Sequence, residues 1–107
     1  MDAQFKKGVL ELVVLSQLVN EDRYGYELTE NISKELAVTA GTLYLILKRL
    51  KDNDYVETYL KESPSGPARK YYHITSKGIE YQSKQKQEWL TFVERTMKLL
   101  WLNKNTY

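Results

Sequence analysis

Three observations predict a mainly α (α+β) fold with a small β-hairpin late in the chain and a last helix that projects from the domain. Apolar residues recur at helical spacing through the first fifty positions. Two strand-like runs, Val56 to Glu62 and Arg69 to Ile74, flank a segment rich in proline and glycine. A final helical segment opening at Thr75 is then longer than a domain of this size can cover.

The first helix is read from Phe5 to Val19. Val9, Leu12, Val13, Leu15 and Val19 keep helical spacing while Leu10, Val14 and Leu18 cover the neighbouring side, so this helix is apolar nearly all round and buried on more than one side. The stretch NEDRYG, residues 20–25, breaks it. A shorter helix follows from about Tyr24 through Lys34, with Leu28 and Ile32 facing inward. Thr39 is placed as the N-cap of a third helix running to about Asn53, because its hydroxyl can accept from free N–H groups of the first turn. Leu43, Ile46, Leu47 and Leu50 form the stripe that docks this helix, which leaves Thr42, Tyr44, Leu45, Lys48 and Lys51 outward. The SPSGPA segment makes the two strands a hairpin with a longer loop. Three helices and then a hairpin is the chain order of a winged helix-turn-helix domain, assigned to residues 1–78.

Read as one helix, Thr75 to Leu102 spans about 42 Å. Residues 82–88 (QSKQKQE) are wholly polar, whereas nine of the fourteen residues from Trp89 to Leu102 are Trp, Leu, Phe, Val or Met. Each such side chain is worth about 1.5–3 kcal/mol when fully buried, so a cover is expected. No Gly or Pro in residues 79–107 lets the helix fold back. The expected cover is a second copy of the chain, packed through the first and last helices, with 79–107 as the dimerisation helix.

Composition narrows the chemistry. The 107 residues contain no cysteine, which removes disulfide frameworks, zinc ribbons, iron–sulfur clusters and thiol nucleophiles and points to a cytoplasmic protein. The N-terminal apolar run is broken by Glu11, Ser16 and Gln17 and reads as neither a signal peptide nor a membrane span. A single histidine, His73, stands in a strand pattern without a second metal ligand, and no phosphate-binding or nucleophile motif occurs, so neither an enzyme nor a cofactor is expected. The net charge of +2 is unevenly placed: residues 1–38 hold four basic against seven acidic residues, while 39–107 hold twelve against seven. That suits contact with a polyanion made by placed charges. The outward face of the third helix offers Thr42, Tyr44 and Lys48 to phosphates or base edges, and Lys61, Arg69 and Lys70 flank the hairpin loop.

Three segments carry a resemblance. YGYEL (residues 24–28), VTAGTLYLILKRL (residues 38–50) and GPARKYYHIT (residues 66–75) together look like the PadR family of transcriptional regulators, and the short tail resembles the subgroup with a single C-terminal helix. The resemblance implies a cytoplasmic homodimeric repressor on a pseudo-palindromic operator, released by a small aromatic or cationic compound. Its DNA contacts would carry over to Thr39, Thr42, Tyr44, Lys48, Arg69 and Lys70. Leu45 stands where many members have proline after GTLY. Trp89, fourteen residues after Thr75, matches a tryptophan that in such relatives lines a pore at the dimer centre. Phe5, Leu12 and Val93 are its expected walls, and Val93 leaves no evident carboxylate there. Two other readings stay open: Trp89 packs the dimer interface without binding anything, or the domain is a protein-interaction module that uses Tyr44, Leu45 and its Tyr-rich wing without specific DNA binding.

Overall fold

The computed structural model describes residues 3–101, with side chains from Lys6 onward. Its elements are α1 (Ala3–Ser16), β1 (Arg23–Tyr24), α2 (Gly25–Glu35), α3 (Ala40–Asp52), β2 (Val56–Ser63), β3 (Gly66–Ile74) and α4 (Ser76–Trp101). Four helices and a three-stranded antiparallel sheet in the order β1-β3-β2 give the expected mainly helical winged-helix architecture with a long last helix.

The core is one cluster. Leu10, Val14, Leu15 and Leu18 of the α1 segment meet Leu28 and Ile32 of α2, all four stripe residues of α3, and Val56, Tyr72 and Ile74 of the sheet. Helix α1 closes three residues before Val19. Gln17 N–H is shared between the Val13 and Val14 carbonyls and Leu18 N–H turns back to Leu15, which tightens the last turn. The Gln17 carbonyl so released accepts from Arg23 Nε at 2.7 Å.

Strand β1 is absent from the sequence reading. It is two residues long, and only its pairing with β3, Arg23 opposite Tyr72 and Tyr24 opposite Tyr71, makes it a strand. Gly25 follows, where a Cβ would stand 3.0 Å from Tyr72 Cε1 and 3.5 Å from the Tyr44 ring, so glycine lets α2 begin against the sheet and α3. Thr39 caps α3 as expected, accepting from Thr42 N–H at 3.3 Å. After α3 the chain reverses at Asp54, in the left-handed region at φ 62°, with Tyr55 N–H returning to the Leu50 carbonyl.

The hairpin differs from the expected long loop. Strand β2 runs to Ser63 and β3 starts at Gly66, so Pro64 and Ser65 alone make the turn, and Pro67 lies where the ladder register shifts between Lys61 and Ser63. A proline has no N–H for the ladder, so it sits at the irregularity. Helix α4 is anchored by its first turn. Thr75 Oγ1 accepts from Gly78 N–H at 3.0 Å and donates to the Asp54 carbonyl at 2.7 Å, while Tyr81 stacks on Tyr55 with centroids 4.2 Å apart. Buried Gln82 donates to Ser16 Oγ, tying α4 to the end of α1. Beyond Gln82 no described residue of α4 is buried, and Leu90, Phe92, Met97, Leu99, Leu100 and Trp101 are exposed.

Candidate nucleic-acid interface

The outward face of α3 is built as its periodicity requires. With Leu43, Ile46, Leu47 and Leu50 fully inside, Thr42, Tyr44, Leu45, Lys48 and Lys51 are exposed, Leu45 at 65%. Two of the expected contact residues have structural engagements as well. The Thr39 hydroxyl is occupied as the helix cap, and the Tyr44 ring leans toward Gly25 and keeps 42% of its surface open.

The wing separates the two basic residues that the sequence reading had paired. Side chains alternate along a strand, so Arg69, Tyr71 and His73 share one face of β3 while Lys70, Tyr72 and Ile74 share the other. Tyr72 and Ile74 enter the core, so Arg69 stands on the sheet face turned away from it. That outer face carries a row of tyrosines. Tyr24, Tyr71 and Tyr59 are aligned across β1, β3 and β2, with centroids 5.9 and 5.7 Å apart, and Tyr26 adds a ring 6.2 Å from Tyr24. Two cations lie over the row. The Arg69 guanidinium is 5.0 Å from the Tyr24 centroid and Lys61 Nζ is 5.3 Å from that of Tyr71. Lys61 and Arg69 are themselves cross-strand partners, so two cations are held as a pair near the hairpin turn. Sequence reasoning missed the row because its members meet across strands, although the nine tyrosines were a signal that aromatic rings would cluster.

The row ends at Asp22. One carboxylate oxygen accepts from the Tyr59 hydroxyl and the other lies on His73 Nδ1, both at 2.7 Å, and only a protonated Nδ1 can donate to a carboxylate. The lone histidine therefore ties the α1–β1 connection to β3. The Tyr59 hydroxyl above all, joined by His73, holds the Asp22 carboxyl below the usual carboxylate range and in turn pushes the Tyr59 phenol up. A depressed folded-state pKa means stabilisation present above the pH where an unfolded carboxyl titrates and lost as pH falls through the folded value. Asp22→Asn is expected to remove that acid-side step. Denaturation midpoints of both proteins between pH 7 and about pH 3 check it, and identical acid branches would contradict it.

The expected ligand residues come only partly together. Leu12 and Trp89 line an open cavity of about 370 Å³ between α1 and α4, with Val9, Gln85, Glu88 and Phe92. Val93 is not among the lining residues, and the Phe5 side chain lies outside the described residues. Glu88 supplies the carboxylate that the sequence reading found missing. Trp89 and Phe92 set their rings 6.4 Å apart along its wall. Residues 85, 88 and 92 share a helix face with Trp89, a signal that helical spacing alone would have provided.

Comparison with known proteins follows the same outline. Residues 14–84 match the transcriptional regulator PadR-like family. A PadR-like transcriptional regulator from Bacillus cereus is 40% identical, with 92% of this chain and 98% of that one covered and a TM-score of 0.82. A PadR family transcription regulator from Clostridium difficile is 31% identical at a TM-score of 0.74, covering 85% of this chain and 96% of that one. An uncharacterised protein of Lysinibacillus sphaericus is 36% identical over 87 residues, which is 78% of this chain and 80% of that protein. With the family match spanning well over half of its length and the outward α3 face and wing in place, the chain belongs to the PadR-like family of transcriptional regulators and is a DNA-binding regulator.

Proposed function

We propose that the chain is a homodimeric transcriptional repressor. Residues 1–78 read a pseudo-palindromic operator in the cytoplasm through Thr42, Tyr44 and Lys48 of α3 and through Arg69 and Lys70 of the wing. Thr39 and Lys61 assist at the edges, and residues 79–107 form the dimerisation helix with α1. The observation that carries this reading is the cation pair Lys61 and Arg69 held over the tyrosine row of the wing, together with the exposed Thr42, Tyr44 and Lys48 on α3. A two-fold dimer presents two such surfaces, which fits half-sites about one helical turn apart. The open cavity at Trp89 is the release site, where a flat aromatic compound stacks on the indole and Glu88 favours a cationic one.

Anisotropy titration of the DNA flanking its own gene, at several salt concentrations, tests the reading. Lys48→Ala and Arg69→Ala are each expected to weaken binding and to lower the salt slope by about 1. Tyr24→Leu is expected to reproduce part of the Arg69→Ala loss and Tyr24→Phe very little, with the Tyr24→Leu/Arg69→Ala double variant no worse than Arg69→Ala. Salt-insensitive binding at a non-specific level would overturn the repressor reading and favour a protein-interaction module.

A further inference from the structure

The one histidine of this chain is held on one ring nitrogen and open at the other. Asp22 lies on His73 Nδ1 at 2.7 Å, so the proton of a neutral ring stays there and the lone pair is left on Nε2. A carboxylate behind the ring is how imidazoles are oriented for metal ions, because it fixes the tautomer and raises the basicity of the free nitrogen. The His73 side chain keeps 45% of its surface open, so an ion can reach Nε2 from solvent.

A single imidazole is a poor site, and its own strand offers no second ligand. The sheet supplies one. Glu57 of β2 is the cross-strand partner of His73, on the same outer face, and its carboxylate oxygen stands 4.0 Å from Nε2. A metal ion with bonds of about 2.0–2.2 Å holds two ligand atoms about 3.4 Å apart at a tetrahedral angle. The exposed Glu57 carboxylate closes the remaining gap of about 0.6 Å by a small rotation. Asp22 and Glu57 also put negative charge on both sides of the ring. The cation pair Lys61 and Arg69 stands four residues further along the strands, about 13 Å away. Arg23 is engaged by the Gln17 carbonyl and by Glu21.

We propose that His73 Nε2 and Glu57 bind a divalent transition-metal ion of the zinc and nickel class, with Asp22 as the positioning residue behind the imidazole and water completing the coordination. An imidazole ligand suits zinc, nickel and copper, whereas magnesium and calcium take oxygen ligands. The ion staples β2 to β3 at the foot of the wing, at the end of the tyrosine row away from the turn. A stiffer wing and a changed operator affinity are the consequence, and that part alone rests on the DNA reading above.

Calorimetric titration of the full chain with Zn²⁺, Ni²⁺ and Mg²⁺ tests the site without DNA. Zn²⁺ and Ni²⁺ are each expected to bind at least tenfold more tightly than Mg²⁺. His73→Gln is expected to abolish Zn²⁺ binding and Glu57→Gln to weaken it about tenfold. Asp22→Asn, which touches only the orientation of the ring, is expected to cost about tenfold as well. Glu94→Gln removes an exposed carboxylate of α4 and is the control, with a change of less than twofold. Proton NMR of the unsubstituted protein is independent of whether any variant folds: substoichiometric Ni²⁺ should broaden the imidazole ring signals before those of Tyr81 on α4. Zn²⁺ binding that survives His73→Gln, equal binding of Mg²⁺, or an unbroadened imidazole would overturn the proposal. Unchanged affinity in Glu57→Gln would reduce the site to a lone surface histidine and overturn it too, and unchanged affinity in Asp22→Asn would overturn the positioning role. If Zn²⁺ binds as expected while no DNA is bound, the site stands and the regulator reading fails separately.

Discussion

Gly78→Ala is expected to be the most destabilising single-atom addition in this chain. A Cβ at Gly78 would overlap the Tyr55 carbonyl oxygen and stand 2.8 Å from Ile74 Cγ1 and 3.0 Å from the Tyr55 carbonyl carbon. None of these can yield cheaply. The Tyr55 carbonyl accepts from Thr75 N–H at 3.0 Å and Thr75 Oγ1 at 3.2 Å, Tyr55 N–H is bonded to Leu50 at 2.9 Å, and Ile74 is core. Moving α4 outward would break the cap at Thr75 and the stack of Tyr81 on Tyr55 together. Overpacking of well-filled sites costs about 1–3 kcal/mol and occasionally more. With backbone as the obstacle, a loss of at least about 3 kcal/mol is expected, a large share of the about 5–15 kcal/mol available to a domain. The melting temperature should fall by more than about 10 °C at matched protein concentration. Gly66→Ala is the control, since nothing lies within 4 Å of its added methyl. Equal melting of the two variants would refute the packing argument.

The second large effect concerns assembly. Leu99→Glu/Leu100→Glu is expected to convert the proposed dimer to monomers while leaving the winged-helix domain folded. Both leucines are exposed on α4, Leu99 at 75%, and neither belongs to the core cluster. Two leucines from each protomer, four in all, contribute about 6–12 kcal/mol when fully buried. Their loss raises the dissociation constant by at least about ten-thousandfold, before the penalty of placing four carboxylates in the interface. Sedimentation velocity across a concentration series reads the change, and circular dichroism checks that the helices persist. An unsubstituted chain that sediments as a monomer throughout, or a double variant that stays dimeric, would remove the dimer from the mechanism.

What the sequence disclosed was local or periodic. The docking stripe of α3, the cap at Thr39, the opening of the last helix at Thr75 and the excess apolar surface of α4 each follow from signals within one segment. What it hid depends on distant partners. Arg23 and Tyr24 become a strand only beside Tyr71 and Tyr72, and the tyrosine row exists only once three strands align. The carboxylate shared by Tyr59 and His73 is of the same kind. The opposite facing of Arg69 and Lys70 is a different lesson, because period-two alternation already separated them.

Strand β1 adds a consequence for how a duplex would be gripped. It joins the wing to α2 through the peptide between Tyr24 and Gly25, and the rings of Tyr72 of the wing and Tyr44 of α3 both close on the Cβ position of Gly25. The helix and the hairpin are thus two jaws of a caliper whose opening is set by one glycine-sized gap. For the proposed operator complex, such a caliper measures groove width and bend as much as it reads base edges. Duplexes that cannot be deformed to the jaw setting would be rejected even where their contacted bases are correct.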